Sequence, residues 1–374
     1  MKQSFADILQ GLDGDRARKL ARKLPAWAAA GVEIPSALSL EQCSSEAAAL
    51  YKARLAREAV AALRQVLDLT GGLGVDSWAL SQVADEVVCF ERDADLAAAA
   101  GRNFARLGAD NIRVRCETVT PQTELPGADL IYADPARRDA AGRKVFLLED
   151  CTPDILTLLP EMFRKAPVVL LKLSPMADLA MLTSRLGPSL HEIHVVELDG
   201  EVKELLCLLR RDPAPAGPDI IAVRLSAQAR LRFHPRDERG AVPAFAQPQP
   251  GNLLLEPVPA LLKAGAFNLP CTRWDVRKLA VSTHLYLSTS LPADAMPWFK
   301  SRRILEVLPA GNASFKQIKR RHPQAEVTAR NLPLRSEALR AKMGVSPGGD
   351  THIFGCRLAD GTAVLLACKK DGTI

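Results

Sequence analysis

Only 5% of this 374-residue chain is aromatic, and its six histidines are scattered, with His191 and His194 the one close pair. They lack the partners of a zinc site, so no metal is expected. The eight cysteines, at 43, 89, 116, 151, 207, 271, 356 and 368, contain no Cys-x-x-Cys pair. Five of them fall in apolar runs, which fits free thiols in a reducing compartment and no disulfide framework. The longest apolar runs have the length of a strand, and Met1 to Gln10 show no signal-peptide pattern, so neither a membrane partner nor export is expected and the location reads as cytoplasmic. What is plentiful is apolar and charged content, 48% and 25%, enough for two or three cores.

The most informative stretch is Leu67-Asp68-Leu69-Thr70-Gly71-Gly72-Leu73-Gly74-Val75-Asp76. An apolar strand runs into an acid-led glycine turn that opens a helix. The glycines let the backbone approach a ligand, and the helix start near Val75 points free N–H groups at it. A phosphate cradle wants a lysine after the glycines, and none is there. The spacing also departs from the dinucleotide fingerprint Gly-x-Gly-x-x-Gly. Acids on both sides of the turn, Asp68 and Asp76, suit a positively charged ligand.

This turn resembles motif I of the class I S-adenosylmethionine-dependent methyltransferases, Asp/Glu-x-x-x-Gly-x-Gly. The resemblance implies that Asp68, Thr70, Gly71, Gly72, Gly74 and Asp76 hold the methionine end of that cofactor. Glu86 to Phe90 reads as a second strand ending in Glu91, about 20 residues past the turn, where an acid accepts hydrogen bonds from ribose hydroxyls. The alternative for Glu91 is a solvated strand-end acid paired with Arg92. Glu117, after the third strand, is either an adenine contact or a solvent-facing loop acid.

Periodicity then predicts a helix over 95–107, strands over 111–116 and 128–133, a helix over 153–165, a strand over 168–173, a helix over 176–186, and strands over 194–198 and 203–209 that meet across Asp199-Gly200. The expected fold is α/β, a Rossmann-like parallel sheet with one antiparallel strand inserted.

The fourth strand ends in Asp134-Pro135-Ala136-Arg137-Arg138, at the sheet edge where open α/β folds do their chemistry. It resembles motif IV, the Asp/Asn-Pro-Pro-aromatic signature of enzymes that methylate base amino nitrogens, but Ala136 and Arg137 replace the second proline and the aromatic. Pro135, Arg137 and Arg138 are substrate-binding candidates, the arginines for phosphate oxygens. The rival reading is a surface pair neutralising Asp139 and Glu149.

Four other residues match the Lys-Asp-Lys-Glu set of ribose 2′-O-methyltransferases: Lys52, Asp134, Lys172 and Glu204. A lysine inside an apolar strand requires a reason, because an unpaired ammonium there is costly. Lys172 either serves the reacting centre or forms an ion pair that locks the sheet. A cysteine mechanism is disfavoured, since the fifth strand ends in Leu173-Ser174-Pro175, without a thiol.

Four regions are expected: helical 1–60, methyltransferase 61–212, ferredoxin-like α+β 213–296 and a basic α+β region 297–374. The stretch Asp212-Pro213-Ala214-Pro215-Ala216-Gly217-Pro218 reads as a linker. Between 298 and 345 lie eleven Lys/Arg against three acids, a net of eight positive charges that exceeds the whole chain's +6. Such a surface either binds a phosphate backbone or is merely solvated.

The whole chain resembles bacterial methyltransferases with an N-terminal helical region, a ferredoxin-like insert and a C-terminal THUMP-like domain. The matching stretches are Leu40-Glu41-Gln42-Cys43-Ser44-Ser45-Glu46, Asp134 to Arg138, Lys263-Ala264-Gly265-Ala266-Phe267, Thr283-His284-Leu285-Tyr286 and Ile304 to Pro309. The resemblance implies S-adenosylmethionine as cofactor and a structured RNA, transfer or ribosomal, as partner, with the target atom open between ribose 2′-O and a base nitrogen. The rival functions are methylation of a protein or small molecule, and RNA binding by a relic fold without catalysis.

Overall fold

The computed structural model describes residues 14–137, 148, 151–214 and 216–370. The chain divides into two compact units, Met1–Arg232 and Phe233–Ile374. Among the described residues no helix is long and apolar enough to cross a membrane.

The first unit opens with helices α1 (Gly14–Lys23), α2 (Pro25–Ala29), α3 (Ala37–Gln42) and α4 (Glu46–Ala59). Pro25 stops α1 and starts α2, as a proline tolerated in the first turn does. Ser45 caps α4 by accepting the Ala48 N–H at 3.3 Å. These helices share a core with the α/β part of the unit. Leu20, Leu24, Trp27 and Leu40 pack with Leu73, Trp78 and Phe104, and Trp27 meets Trp78 edge-on at 6.0 Å.

The sheet strands are β1 (Gln65–Asp68), β2 (Glu86–Glu91), β3 (Ile112–Cys116), β4 (Leu130–Ala133), β5 (Val168–Leu173), β6 (Leu190–Leu198), β7 (Glu201–Arg210), β8 (Asp219–Arg224) and β9 (Ala229–Phe233). The helices between them are α5 (Val75–Ser81), α6 (Ala94–Arg106), α7 (Ile155–Lys165) and α8 (Leu179–Leu186). Sheet order is β9-β8-β6-β7-β5-β4-β1-β2-β3. Strands β1 to β5 run parallel, while β7 enters antiparallel between β5 and β6. The hairpin joining β6 to β7 turns on Asp199 and Gly200, both at positive φ (55° and 81°), as a two-residue turn of this hand requires. The expected inserted strand is therefore present.

One expectation changes. The sequence assigns residues 213–296 to the ferredoxin-like region, but within it β8 pairs parallel with β6, Ile220 opposite Ile193, and extends the first sheet. Its inward residues Ile221 and Val223 join the core of Val196 and Leu206. A proline linker breaks the chain without deciding which sheet edge the next strand finds.

The second unit is built on a seven-stranded sheet: β10 (Leu253–Pro257), β11 (Arg277–Lys278), β12 (Tyr286–Ser288), β13 (Phe299–Pro309), β14 (Gln324–Arg330), β15 (Ser346–Arg357) and β16 (Ala363–Lys370), in the order β11-β12-β10-β13-β16-β15-β14. Because β10 pairs with β13, one hydrogen-bonded sheet crosses position 296, where the sequence suggests a boundary between two regions. Helices α9 (Asn312–Arg321) and α10 (Ser336–Met343) bury Ile318, Leu339 and Met343 against Ile353 and Leu365.

Candidate active site

The glycine turn folds as it does because three side chains hold it. Asp68 ends β1 fully buried; its carboxylate accepts the Ser77 hydroxyl at 2.6 Å and the Thr70 N–H at 3.0 Å. Burial, partly offset by these bonds, pushes its carboxyl up to about 7. Gly71 lies so close to β2 that a Cβ there would stand 2.5 Å from Cys89 Sγ. At Gly74, φ is +92° and a Cβ would stand 2.5 Å from Phe104 Cζ, so the start of α5 tolerates no side chain.

Glu91 closes the far side. One of its oxygens accepts the Gly72 N–H at 2.6 Å and the other the Asp93 N–H at 2.8 Å. Each carboxylate oxygen keeps a further lone pair for a ligand hydroxyl. Glu117 lies next to it along the sheet edge, its N–H bonded to the Glu91 carbonyl at 3.0 Å and its carboxylate to Arg115 at 2.7 Å.

Together these residues line a cavity of about 750 Å³ that includes Thr70, Gly71, Gly72, Gly74, Asp76, Glu91, Glu117, Asp134 and Lys172, within the range of ligand pockets of roughly 300–1,000 Å³. Asp68 is absent from its lining and acts from behind, by fixing the turn. Sequence reasoning missed a further part of the wall: Ser39, Gln42, Cys43 and Ser44, from the end of α3. Their pattern reads as a helix cap, and nothing local links it to a turn some 30 residues on.

A second cavity of about 240 Å³ adjoins the first, lined by Asp134, Pro135, Lys172, Leu173, Ser174, Pro175 and Lys203. The two share Asp134 and Lys172. Lys172 Nζ donates to Asp134 Oδ2, with side chains 14% and 34% exposed. Burial works against the Lys172 charge, but Asp134, Glu204 and Asp76 overcome it and raise its pKa above the ordinary lysine value.

The four residues of the Lys-Asp-Lys-Glu reading are divided by the structure. Asp134 and Lys172 face the cavities, whereas Lys52 and Glu204 pair with each other at 3.0 Å, with side chains 0% and 3% exposed, and line neither. Lys52 also donates to Asp76 at 3.0 Å and to Ser44 at 2.7 Å. Burial, partly offset by Lys52 and Lys172, raises the Glu204 pKa. Burial alone would raise Asp76 too, but Lys52, Lys172 and the Tyr132 hydroxyl hold it below the usual carboxylate value.

Pro135 is buried and lines the second cavity. The Arg137 backbone pairs with Cys151 in a two-residue ribbon. Arg138, with Asp139 and Glu149, lies outside the described residues. Cys151 is buried and not in either lining.

The profile of a ferredoxin-like domain family matches residues 254–294, and that of a THUMP domain-like family matches 300–370. No curated protein matches the chain significantly. The crystal structure of a candidate methyltransferase from Porphyromonas gingivalis W83 is 31% identical, covers 99% of this chain and 95% of that one, and superposes with a TM-score of 0.82. An rRNA methylase from Streptococcus thermophilus is 12% identical over 43% of this chain and 93% of its own, TM-score 0.33. A candidate methyltransferase from Streptococcus mutans, solved with SAH, is 10% identical over 43% and 95%, TM-score 0.32.

Proposed function

The chain belongs to the class I S-adenosylmethionine-dependent methyltransferases with C-terminal ferredoxin-like and THUMP-like domains, and on that premise we propose that it methylates a nucleotide of structured RNA, transfer or ribosomal. The cofactor supplies an electrophilic methyl group on a sulfonium. The glycine turn, Glu91 and the first cavity are suited to hold it, with Glu91 toward ribose and Glu117 toward adenine.

The observation that carries the acceptor side is the junction of the two cavities at Asp134 and Lys172. A group entering by the smaller cavity meets the Asp134 carboxylate where the larger one ends. Lys172, held protonated by its acidic neighbours, has no lone pair with which to take a proton, so the proton-accepting group is Asp134. That favours a base amino nitrogen, which needs its N–H bonds oriented, over a ribose hydroxyl, which needs a strong base. Most of the rate enhancement then comes from alignment.

RNA as the substrate is supported by charge on the second unit. Lys316, Lys319 and Arg320 on α9, with Arg335 and Lys342 at α10, are exposed, free to meet phosphates. Arg302 and Arg330 are instead neutralised by Glu256, each at 3.1 Å, and Arg321 by Glu306.

The test is transfer of labelled methyl groups to total RNA from cells lacking the gene, followed by digestion to nucleosides. A methylated base amino group is the expected product. A 2′-O-methylated nucleoside would overturn the choice of atom, and label confined to protein or small molecules would overturn RNA as substrate.

A further inference from the structure

Among the described residues of the first unit, Lys52 alone of the lysines is fully buried. Its environment explains why. Two of its N–H bonds go to Ser44 Oγ at 2.7 Å and Asp76 Oδ1 at 3.0 Å, and its charge is matched by Glu204 at 3.0 Å. The ammonium is enclosed by these partners, and neither cavity reaches it.

Two of its partners, Asp76 and Ser44, do line the larger cavity, side by side. Asp76 stands in the first turn of α5, directly after the glycine turn. Ser44 follows α3 in the N-terminal region. The Ser44 hydroxyl accepts from Lys52 and donates to Asp76 Oδ2 at 2.9 Å, and Tyr132 donates to the same oxygen at 2.7 Å. From the other end of the wall, Lys23 Nζ donates to the Leu40 and Glu41 carbonyls, both at 2.8 Å. The segment 40–44 is thus pinned at both ends, by one ammonium to its carbonyls and by another to its hydroxyl.

We infer that Lys52 is a positioning residue for the cofactor: through Asp76 and Ser44 it fixes the N-terminal segment 42–44 as the wall of the S-adenosylmethionine cavity. The wall and the glycine turn are then set against each other before any ligand arrives, and binding does not have to order them. This inference rests on the cofactor, not on the choice of RNA as substrate, and it is tested without RNA.

The measurement is calorimetric binding of S-adenosylhomocysteine to the full chain and to its Ser44→Ala and Lys52→Met variants, with thermal unfolding of each apo protein alongside. Ser44→Ala removes one hydroxyl and leaves the Lys52–Asp76 contact in place, so its apo melting temperature should match the parent within a few degrees. Its affinity should fall about tenfold, the loss of a hydroxyl's hydrogen bond to a charged group. In methyl-transfer assays the KM for S-adenosylmethionine should rise with kcat largely kept. Lys52→Met should weaken binding at least as much; if it fails to fold, Ser44→Ala decides alone. Affinity within twofold of the parent in Ser44→Ala would overturn the inference. So would a Lys52→Met protein that binds normally but has lost kcat, which would place Lys52 at the reacting centre.

Discussion

The backbone N–H of Asp134 donates to the Thr70 hydroxyl at 2.7 Å. Thr70 in turn donates its own N–H to Asp68 at 3.0 Å. The strand end that meets the acceptor and the turn that meets the cofactor are therefore one hydrogen-bonded assembly. Thr70→Val keeps the shape and removes the acceptor for Asp134. Methyl transfer at saturating cofactor should slow about tenfold, the cost of an unsatisfied N–H at a site that demands alignment, and steady-state kinetics will show whether kcat carries the loss.

At Gly71 the obstacle to a side chain is chiefly the Cys89 sulfur. Gly71→Ala should abolish detectable S-adenosylhomocysteine binding. Adding Cys89→Ala removes that atom but leaves the Phe90 carbonyl, 3.1 Å from where the new Cβ would stand, so binding should return in part. A double mutant no better than the single one would show that the turn is closed by backbone contact alone.

Asp134 separates the two acceptor chemistries. A base amino group needs only a hydrogen-bond acceptor, which the amide carbonyl introduced by Asp134→Asn still offers, whereas a hydroxyl must give up its proton to a base, which an amide is not. Asp134→Asn should keep part of the rate and Asp134→Ala should lose about a hundredfold or more. Equal, complete loss in both, measured in single turnovers, would point to a hydroxyl.

The buried Asp68 links stability to pH. Its carboxyl is raised from 3.8 to about 7 by burial, so the folded protein holds a proton that the unfolded chain releases. The resulting stabilisation is complete below 3.8 and lost as pH rises through 7. It amounts to about 4 kcal/mol at full extent. Asp68→Asn should flatten the dependence of melting temperature on pH between about 4 and 7, and above about pH 7.5 it should be at least as stable as the parent. A parent profile that rises with pH over that interval and is unchanged in the variant would contradict the assignment.

On the second unit, replacing Lys316, Lys319 and Arg320 by glutamate should weaken RNA binding for all sequences alike. The slope of log K against log salt should fall by roughly one for each phosphate no longer neutralised. An unchanged slope would mean that this helix is a solvated surface.

Much of the first unit is legible in the chain because its signals are local. A strand, an acid, three glycines and a helix follow one another within ten residues, and Asp199-Gly200 announces its hairpin. Lys52 and Glu204 are legible as members of a four-residue constellation, but their burial against each other is not: it depends on α4 packing against α5, so two residues that read as reacting groups lie behind the site. The wall at Ser44 escapes notice for the same reason, since its partner Asp76 is distant in sequence. The strand β8 shows a different limit, because pairing partners are chosen by the free sheet edge and not by the linker.

The continuity of the second sheet bears on how this protein can be taken apart. Strand β10 at 253–257 leans on β13 at 299–309, and Leu254, Leu285 and Leu287 share one core with Ile304, Phe354 and Leu366. A truncation after residue 296 would strip that core of most of its members and leave β10 with an open, apolar edge, a template for aggregation. The basic surface is thus separable by charge reversal but not by scissors, and any comparison of the chain with and without it has to be made at the junction near residue 232.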